Sequence, residues 1–300
     1  MLFLPRTATI TDYAMNTVVS VTVRSHSAAA AAQKAIDEIK RIESLMSATV
    51  PGSDVYRINS AGSGTSVQVS GEVYELIQMS LNVSDITDGA FDITVNPLSE
   101  LWDFNAADPK VPDAEDIAEC LSLVSYRDIA LNPAQSSVTL AKEGMSISLG
   151  AVAKGYAADR AAQILRDEGV HDAIVDLGGN IYAIGSKRIG IQTPFKSRGE
   201  YFTTVDVEDC SVVTSGSYER YFAADDKIYH HIIDPGTGYP SASGLKSATV
   251  VSKSSALADA LSTALFVAGE DRADSIVSSF DGVYAVLLTE DNRTIEVGTK

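Results

Sequence analysis

Helix-period and strand-period segments are interspersed along this chain without strict alternation, an order that favours an α+β or mixed α/β architecture over a purely parallel sheet. Strand-like alternation first occurs in Thr17-Val-Val-Ser-Val-Thr-Val23. A helix is expected over 28–47, where Ile36, Ile39, Ile42 and Leu45 or Met46 recur at helical spacing and Lys34, Asp37, Lys40 and Arg41 fall on other faces. Residues 50–59 read as a loop with a short helix, 71–87 as a helix, and 90–108 as an irregular, unusually aromatic stretch. Pro112 suits the start of a third helix over 112–124. Residues 145–149 predict a short strand that leads through Gly150 into a helix reaching about Glu168, with Gly169 as its stop. Strands over 173–177 and 181–184, a strand-rich stretch over 188–245, a strand over 247–251, helices over 255–268 and 271–280, and a hairpin of 283–289 with 294–297 complete the pattern. No repeat, low-complexity segment or long linker interrupts it, and 300 residues allow one large domain or two.

With 45% hydrophobic residues the chain can bury a sizeable core without disulfide or metal staples. Cys120 and Cys210 have no CxxC partner, which excludes a disulfide framework and a Cys-rich zinc site. The balance of 23 basic against 40 acidic residues, a formal net charge of -17, repels phosphate backbones, so no nucleic-acid partner is expected. One compact phosphorylated ligand is still compatible, because a bound cation or a helix N-terminus reverses the local field. The apolar stretch at Met1-Leu-Phe-Leu4 is too short for a signal peptide core, no cysteine lies near it to carry a lipid, and no window approaches ~18 consecutive apolar residues. A cytoplasmic protein without membrane insertion is the expectation.

Three segments could carry chemistry. In Ala256-Leu-Ala-Asp-Ala-Leu-Ser-Thr-Ala-Leu-Phe266 the only charge is Asp259, and Thr263 follows one turn later on the same helix face. That pair can share a hard cation such as Mg2+, or Asp259 can simply mark the wet edge of a buried helix. Ser148-Leu-Gly-Ala-Val-Ala-Lys-Gly-Tyr156 resembles a phosphate cradle with Lys154 as its cation, although GxxxxGK[ST] and GxGxxG are both absent and an ordinary strand-to-helix turn fits as well. Tyr229-His-His-Ile-Ile-Asp-Pro-Gly-Thr-Gly238 places adjacent histidines on opposite faces of a strand, so one at most faces a cleft as a general base. Ser215-Gly-Ser217 lacks the GxSxG of a serine hydrolase.

Taken together in their order, these segments resemble the FAD:protein FMN transferase, or ApbE, family. Gly89-Ala-Phe-Asp-Ile-Thr-Val-Asn-Pro-Leu98 with Leu101-Trp-Asp-Phe104 looks like the family's GAFDxTVxPL…LWxF signature, and Leu149-Gly-Ala-Val-Ala-Lys-Gly-Tyr-Ala-Ala-Asp159 like LGAIAKGYAxD. Asp176-Leu-Gly-Gly-Asn180 resembles the GGN turn, His231-Ile-Ile-Asp-Pro-Gly-Thr-Gly238 the HxIDPxTG motif, and Asp259-Ala-Leu-Ser-Thr263 the DALxT metal segment.

The resemblance implies one domain over 1–300, made of two intertwined α/β lobes with the ligand cleft between them. It implies cleavage of the FAD pyrophosphate with Mg2+, transfer of FMN through its phosphate to a Thr or Ser of an acceptor flavoprotein, and release of AMP. Asp259, Thr263 and the carbonyl of Ala151 would hold the metal, for which Mn2+ or Ca2+ also suit the oxygen ligands. Met15, Ala90, Phe91, Asp92, Ser148, Lys154 and Ile233 fall on flavin-nucleotide contact positions, with Gly179 and Asn180 lining the nucleotide. His231, not His230, takes the general-base position, while Asp234 is expected to fix the turn before Pro235. The chain departs from the family in reading Met15-Asn-Thr17 for MGT, in carrying Ser148 where an acidic residue is common, and in lacking an aromatic near Thr49 that would cover the flavin ring. Water reaching such a site in place of the acceptor would make the protein a metal-dependent FAD pyrophosphatase giving FMN and AMP. A non-catalytic FAD carrier is the reading from a different class.

Overall fold

The computed structural model describes residues 5–197, 199–225 and 227–299; the apolar stretch at 1–4 lies outside them. It opens with a hairpin of β1 (Arg6–Ala14) and β2 (Thr17–Ser25). Met15 and Asn16 form the connection with φ of +52° and +59°, the double positive φ of a type I′ turn. Asn tolerates that region better than most side chains, and here its Oδ1 accepts from the Tyr13 hydroxyl at 2.8 Å. The Met15 N–H donates to Glu43 Oε1 at 2.7 Å, tying the turn to the following helix.

That helix, α1 (Ala28–Met46), buries the Ile36, Ile39, Ile42 stripe expected from its period. Next come α2 (Asp54–Ser60), β3 (Ser66–Gln68) and α3 (Gly71–Ile86). Ser53 and Ser70 cap the two helices by accepting from the Tyr56 and Val73 N–H groups. The stretch expected to be irregular holds a 3₁₀ turn, Ile93–Val95, and α4 (Asn96–Trp102), where Pro97 sits in the first turn. After α5 (Ala114–Leu121), β4 (Ile129–Asn132) and β5 (Ser137–Leu140), residues 145–149 form no strand, contrary to the sequence expectation. A side chain takes the place of a partner strand there. Ile147 N–H donates to Asn59 Oδ1 at 2.8 Å, the Ile147 carbonyl accepts from Asn59 Nδ2 at 2.9 Å, and Ser148 N–H donates to the Ile93 carbonyl.

The remaining elements are α6 (Ala153–Asp167), β6 (Ala173–Leu177), β7 (Asn180–Ile184), β8 (Ser186–Gln192), β9 (Tyr201–Glu208), β10 (Ser211–Gly216), β11 (Tyr221–Ala224), β12 (Lys227–His230), β13 (Leu245–Ser252), α7 (Ser255–Ala268), α8 (Glu270–Val277), β14 (Tyr284–Thr289) and β15 (Thr294–Gly298). Among the described residues the largest sheet has eight strands in the order β1-β2-β6-β7-β10-β13-β14-β15. Every neighbouring pair in it is antiparallel, so this is the mixed α/β class expected from the interspersed pattern. Helices α1, α6 and α7 contribute to the main core with one face of the sheet, while Ile189, Ile191, Val205 and Val207 of the β8–β9 hairpin pack with Val212 and Val286. A separate small core joins Leu98, Trp102, Ile117 and Ile233.

The crossing of α6 and α7 is unusually close. A Cβ on Gly155 would lie 2.2 Å from the Ser255 carbonyl oxygen, so only glycine permits this approach. One turn further along α6, the Asp159 carboxylate accepts from the Ser255 N–H (2.7 Å) and the Ala256 N–H (3.0 Å), satisfying donors that the start of α7 leaves free. Gly155→Ala should therefore destabilise the fold by roughly 1–3 kcal/mol in urea denaturation, whereas an unchanged midpoint would mean that the two helices can slide apart freely. Burial raises the Asp159 carboxyl from 3.8 to about 6, against the lowering effect of those hydrogen bonds. A raised folded pKa contributes stability that is complete below the unfolded value and is lost as pH rises through the folded one. Asn keeps one of the two acceptor oxygens and does not titrate, so its constant loss of a bond leaves no pH dependence. Between about pH 4 and pH 7, then, wild type should lose roughly 1–2 kcal/mol relative to Asp159→Asn; parallel pH profiles of the two proteins would contradict this.

Candidate active site

A cavity of about 600 Å³ opens where the β1–β2 turn, the 90–95 segment, the start of α6, the end of β10, the residues after β12 and the inner face of α7 meet. Its volume is in the range of small-molecule sites. Met15, Ala90, Phe91, Asp92, Ser148, Ala151, Lys154, Asn180, His231, Ile233, Asp259 and Thr263 all line it. Gly179 does not, and Gly178 lines it instead. Gly178 has φ +66° and lies so close to Thr17 that a Cβ would stand 2.1 Å from Thr17 Oγ1, which turns this glycine toward the hairpin and the cleft. Gly179, at φ +97°, has open space at its Cβ position and donates its N–H to Asp176 Oδ1.

Asp259, Thr263 and Ala151 bring oxygen atoms to one part of the lining. Asp259 is 4% exposed, and burial pushes its carboxyl above the usual range, with Lys154, the Gly155 N–H and the nearby Asn180 amide working in the opposite direction. Its Oδ2 accepts from the Gly155 N–H at 2.9 Å. It is one of the donors that the first turn of α6 leaves free, since the ladder of that helix begins with the bond from the Tyr156 N–H to the Val152 carbonyl, and the Ala151 carbonyl precedes it. Asp259 Oδ1 faces Lys154 Nζ at 4.0 Å, and this ammonium donates to the Gly150 carbonyl at 3.0 Å. Thr263, one turn along α7, pairs loosely with Ser215 Oγ at 3.2 Å. Asn180 is 1% exposed and accepts from Ser255 Oγ at 2.8 Å, while its Nδ2 makes no full hydrogen bond among the described residues. One buried carboxylate oxygen short of donors, a hydroxyl and a main-chain carbonyl make a hard, all-oxygen set that fits Mg2+ or a similar divalent ion. Among the described residues no group of three or more His, Cys, Asp or Glu side chains could hold a metal, so a softer His/Cys centre has no candidate.

His231 also lines the cavity. Its N–H donates to the Arg220 carbonyl at 3.1 Å, and its Nδ1 lies 3.3 Å from the same oxygen. A carbonyl only accepts, so Nδ1 bears the proton and Nε2 keeps its lone pair. The ring retains an edge open to the cleft, but protein surrounds the rest; this burial, with the Arg220 charge next in weight, pushes its pKa down to about 3. His231 is neutral at physiological pH. His230 turns inward: Nε2 faces the Ser241 carbonyl at 3.1 Å, Nδ1 accepts from the Ile232 N–H, and the ring meets Phe266 edge-on.

Other expected positions shape the walls. Both Asp92 oxygens are occupied, Oδ1 by the Thr94 N–H and hydroxyl and Oδ2 by the Tyr126 N–H, so this carboxylate braces the 90–95 segment. Asp234 Oδ1 accepts from the Gly236 N–H at 2.8 Å and Oδ2 from the Thr237 hydroxyl, which fixes the turn as expected. The Trp102 indole N–H donates to the Gly238 carbonyl at 2.9 Å, joining the LWDF and DPGTG segments beside Ile233. Sequence reasoning missed Asp103, Phe104, Glu219 and Arg220, which also line the cavity. The last two closely follow Ser215-Gly-Ser217, a segment weighed for serine chemistry alone. The 46–53 loop is not part of the lining.

The ApbE family matches residues 15–288 of the chain. An FAD:protein FMN transferase of Klebsiella pneumoniae is 38% identical over 266 residues, covering 89% of this chain and 84% of that protein. One of Treponema pallidum is 33% identical, with coverage of 94% and 84%. The crystal structure of the ApbE protein of Thermotoga maritima superposes with a TM-score of 0.89 at 34% identity over 97% of both chains. The apo form of the Pseudomonas stutzeri flavinyl transferase ApbE superposes with a TM-score of 0.82 at 27% identity, over 100% of this chain and 96% of that one. Sequence and fold agree, and the chain belongs to the ApbE family.

Proposed function

We propose that this protein is an FAD:protein FMN transferase. The observation that carries the reading is the pairing, across one ligand-sized cavity, of a buried oxygen-ligand set on α7 with a neutral imidazole whose Nε2 is free. FAD is the substrate, and a flavoprotein with an exposed Thr or Ser is the acceptor. The whole chain, 1–300, acts as one transferase domain of two intertwined lobes.

His231 Nε2 takes the proton of the acceptor hydroxyl as its oxygen bonds to the phosphorus of the FMN half. The bond from that phosphorus to the bridging oxygen breaks, and AMP leaves with that oxygen. A base so placed contributes ~10²–10⁴-fold. The Arg220 carbonyl holds the ring in the required tautomer, and Lys154 faces developing negative charge on the phosphate oxygens. Asp259, Thr263 and the Ala151 carbonyl would hold Mg2+, with Mn2+ or Ca2+ as alternatives. The ion supplies neutralisation of the non-bridging phosphate oxygens, the main demand of phosphoryl transfer. Met15, Ala90, Phe91, Ser148, Asn180 and Ile233 form the surface against which the flavin nucleotide rests.

Hydrolysis of FAD to FMN and AMP uses the same groups. The loop whose missing aromatic suggested water entry stands outside the cavity lining, which favours transfer. A storage protein for FAD has no use for a tautomer-locked base.

Incubation with FAD, Mg2+ and a candidate acceptor should leave fluorescent flavin on the denatured acceptor and release AMP. Free FMN with an unlabelled acceptor would identify a pyrophosphatase, and FAD intact after hours a carrier. His231→Ala should slow transfer ~10²–10⁴-fold while FAD binding changes little; greater damage from His230→Ala would overturn the assignment of the base. Asp259→Ala and Thr263→Ala should abolish Mg2+-dependent turnover with circular dichroism unchanged. Full activity in either would remove that residue from the metal site.

A further inference from the structure

Among the described residues two cations line the cleft, and their surroundings differ. The Lys154 ammonium donates to the Gly150 carbonyl and faces the Asp259 carboxylate, so its charge is largely answered by its own wall. Arg220 is exposed. Its carbonyl orients His231, yet its guanidinium has no hydrogen bond or ion pair with any described residue. Its charge is nonetheless close enough to the imidazole to disfavour a proton there.

An unpaired guanidinium beside another potential cation adds nothing to folding. In a cavity that also exposes Asp103 and Glu219, it is the group whose five donors are free to meet a ligand. The planar fork of arginine matches two oxygens of a phosphate, where lysine offers a point charge. Arg220 and Lys154 line the same cavity, and the charge of each acts on the His231 ring, so both cations stand where a phosphoryl group beside that imidazole would meet them. Resting on the transferase reading of the cleft, we propose that Arg220 binds non-bridging oxygens of the phosphate of the FMN half, fixing the phosphorus beside His231 Nε2. The acceptor oxygen then attacks a phosphate held by the guanidinium, and the arginine stays with the FMN phosphate after AMP has gone.

The proposal predicts an affinity that depends on phosphate and not on the flavin ring. Riboflavin, FMN and FAD can each be titrated with protein in EDTA, following flavin fluorescence, so that neither turnover nor metal enters. Wild type should bind FMN more tightly than riboflavin. Arg220→Gln should weaken FMN and FAD binding by roughly 10- to 100-fold and leave riboflavin unchanged, with Arg220→Lys between the two. Should the Gln variant fail to fold by circular dichroism, the Lys variant decides alone: a selective loss of FMN and FAD affinity supports the proposal. Unaltered FMN binding, or an equal loss for riboflavin, would overturn it. If wild type bound neither riboflavin nor FMN, the flavin reading of the cleft would fail as well, which separates that failure from one confined to the arginine.

Discussion

At Gly155 a backbone N–H that the first turn of α6 leaves without a partner donates to the carboxylate of Asp259 on the neighbouring helix. Much of the site depends on that bond. It requires the two helices to touch, which the missing Cβ allows. It stabilises a charge that burial alone would push toward protonation. Ala151, one residue before the N-cap Val152, keeps its carbonyl outside the ladder of that helix at the same cavity. Lys154 precedes Gly155 in the chain and so faces the same carboxylate, and Asp159, one turn on, grips the start of α7. A five-residue frame thus sets the helix crossing and the composition of the cation wall together.

Electrostatics of the cleft are local and do not follow from the charge of the whole chain. Exposed charges farther away than about 8–10 Å are screened by physiological salt, so the surplus of acidic residues on the surface hardly decides what a cavity binds. Inside it, Asp92 and Asp259 are engaged with the protein, and Asp103 and Glu219 stand exposed. Lys154 and Arg220 oppose them. A pyrophosphate entering this balance would meet more negative than positive charge, which makes a divalent ion at Asp259 a requirement of the proposed chemistry.

The helices with a strong apolar stripe and the motif positions were legible in the sequence because both are local patterns. α7 has the bounds expected, and the segments carrying Lys154, His231 and Asp259 meet in one cavity. β1 was not legible: its alternation runs through Thr and Ala side chains, and as an edge strand it exposes much of both faces. The 145–149 segment looks like a strand because its apolar residues alternate, but its hydrogen-bond partner is the Asn59 side chain, which no periodicity reveals. Arg220 was passed over for a similar reason. Its importance comes from what its carbonyl touches eleven residues later and from what its guanidinium lacks.

Departures from the family pattern gain a physical meaning in this setting. Asn16 sits at φ +59°, a conformation that glycine adopts freely and asparagine tolerates, so MNT preserves the turn that MGT would make. What it adds is an amide on the cleft wall, held by Tyr13. The histidine pair obeys a similarly simple rule. Adjacent residues at the end of a strand point to opposite sides, so one ring must enter the core and the other the cleft. The core ring has both nitrogens satisfied and is chemically inert. The cleft ring has one nitrogen tied to a carbonyl that can only accept, which places its proton on the far side from the substrate and directs the remaining lone pair, the reactive one, toward the cavity.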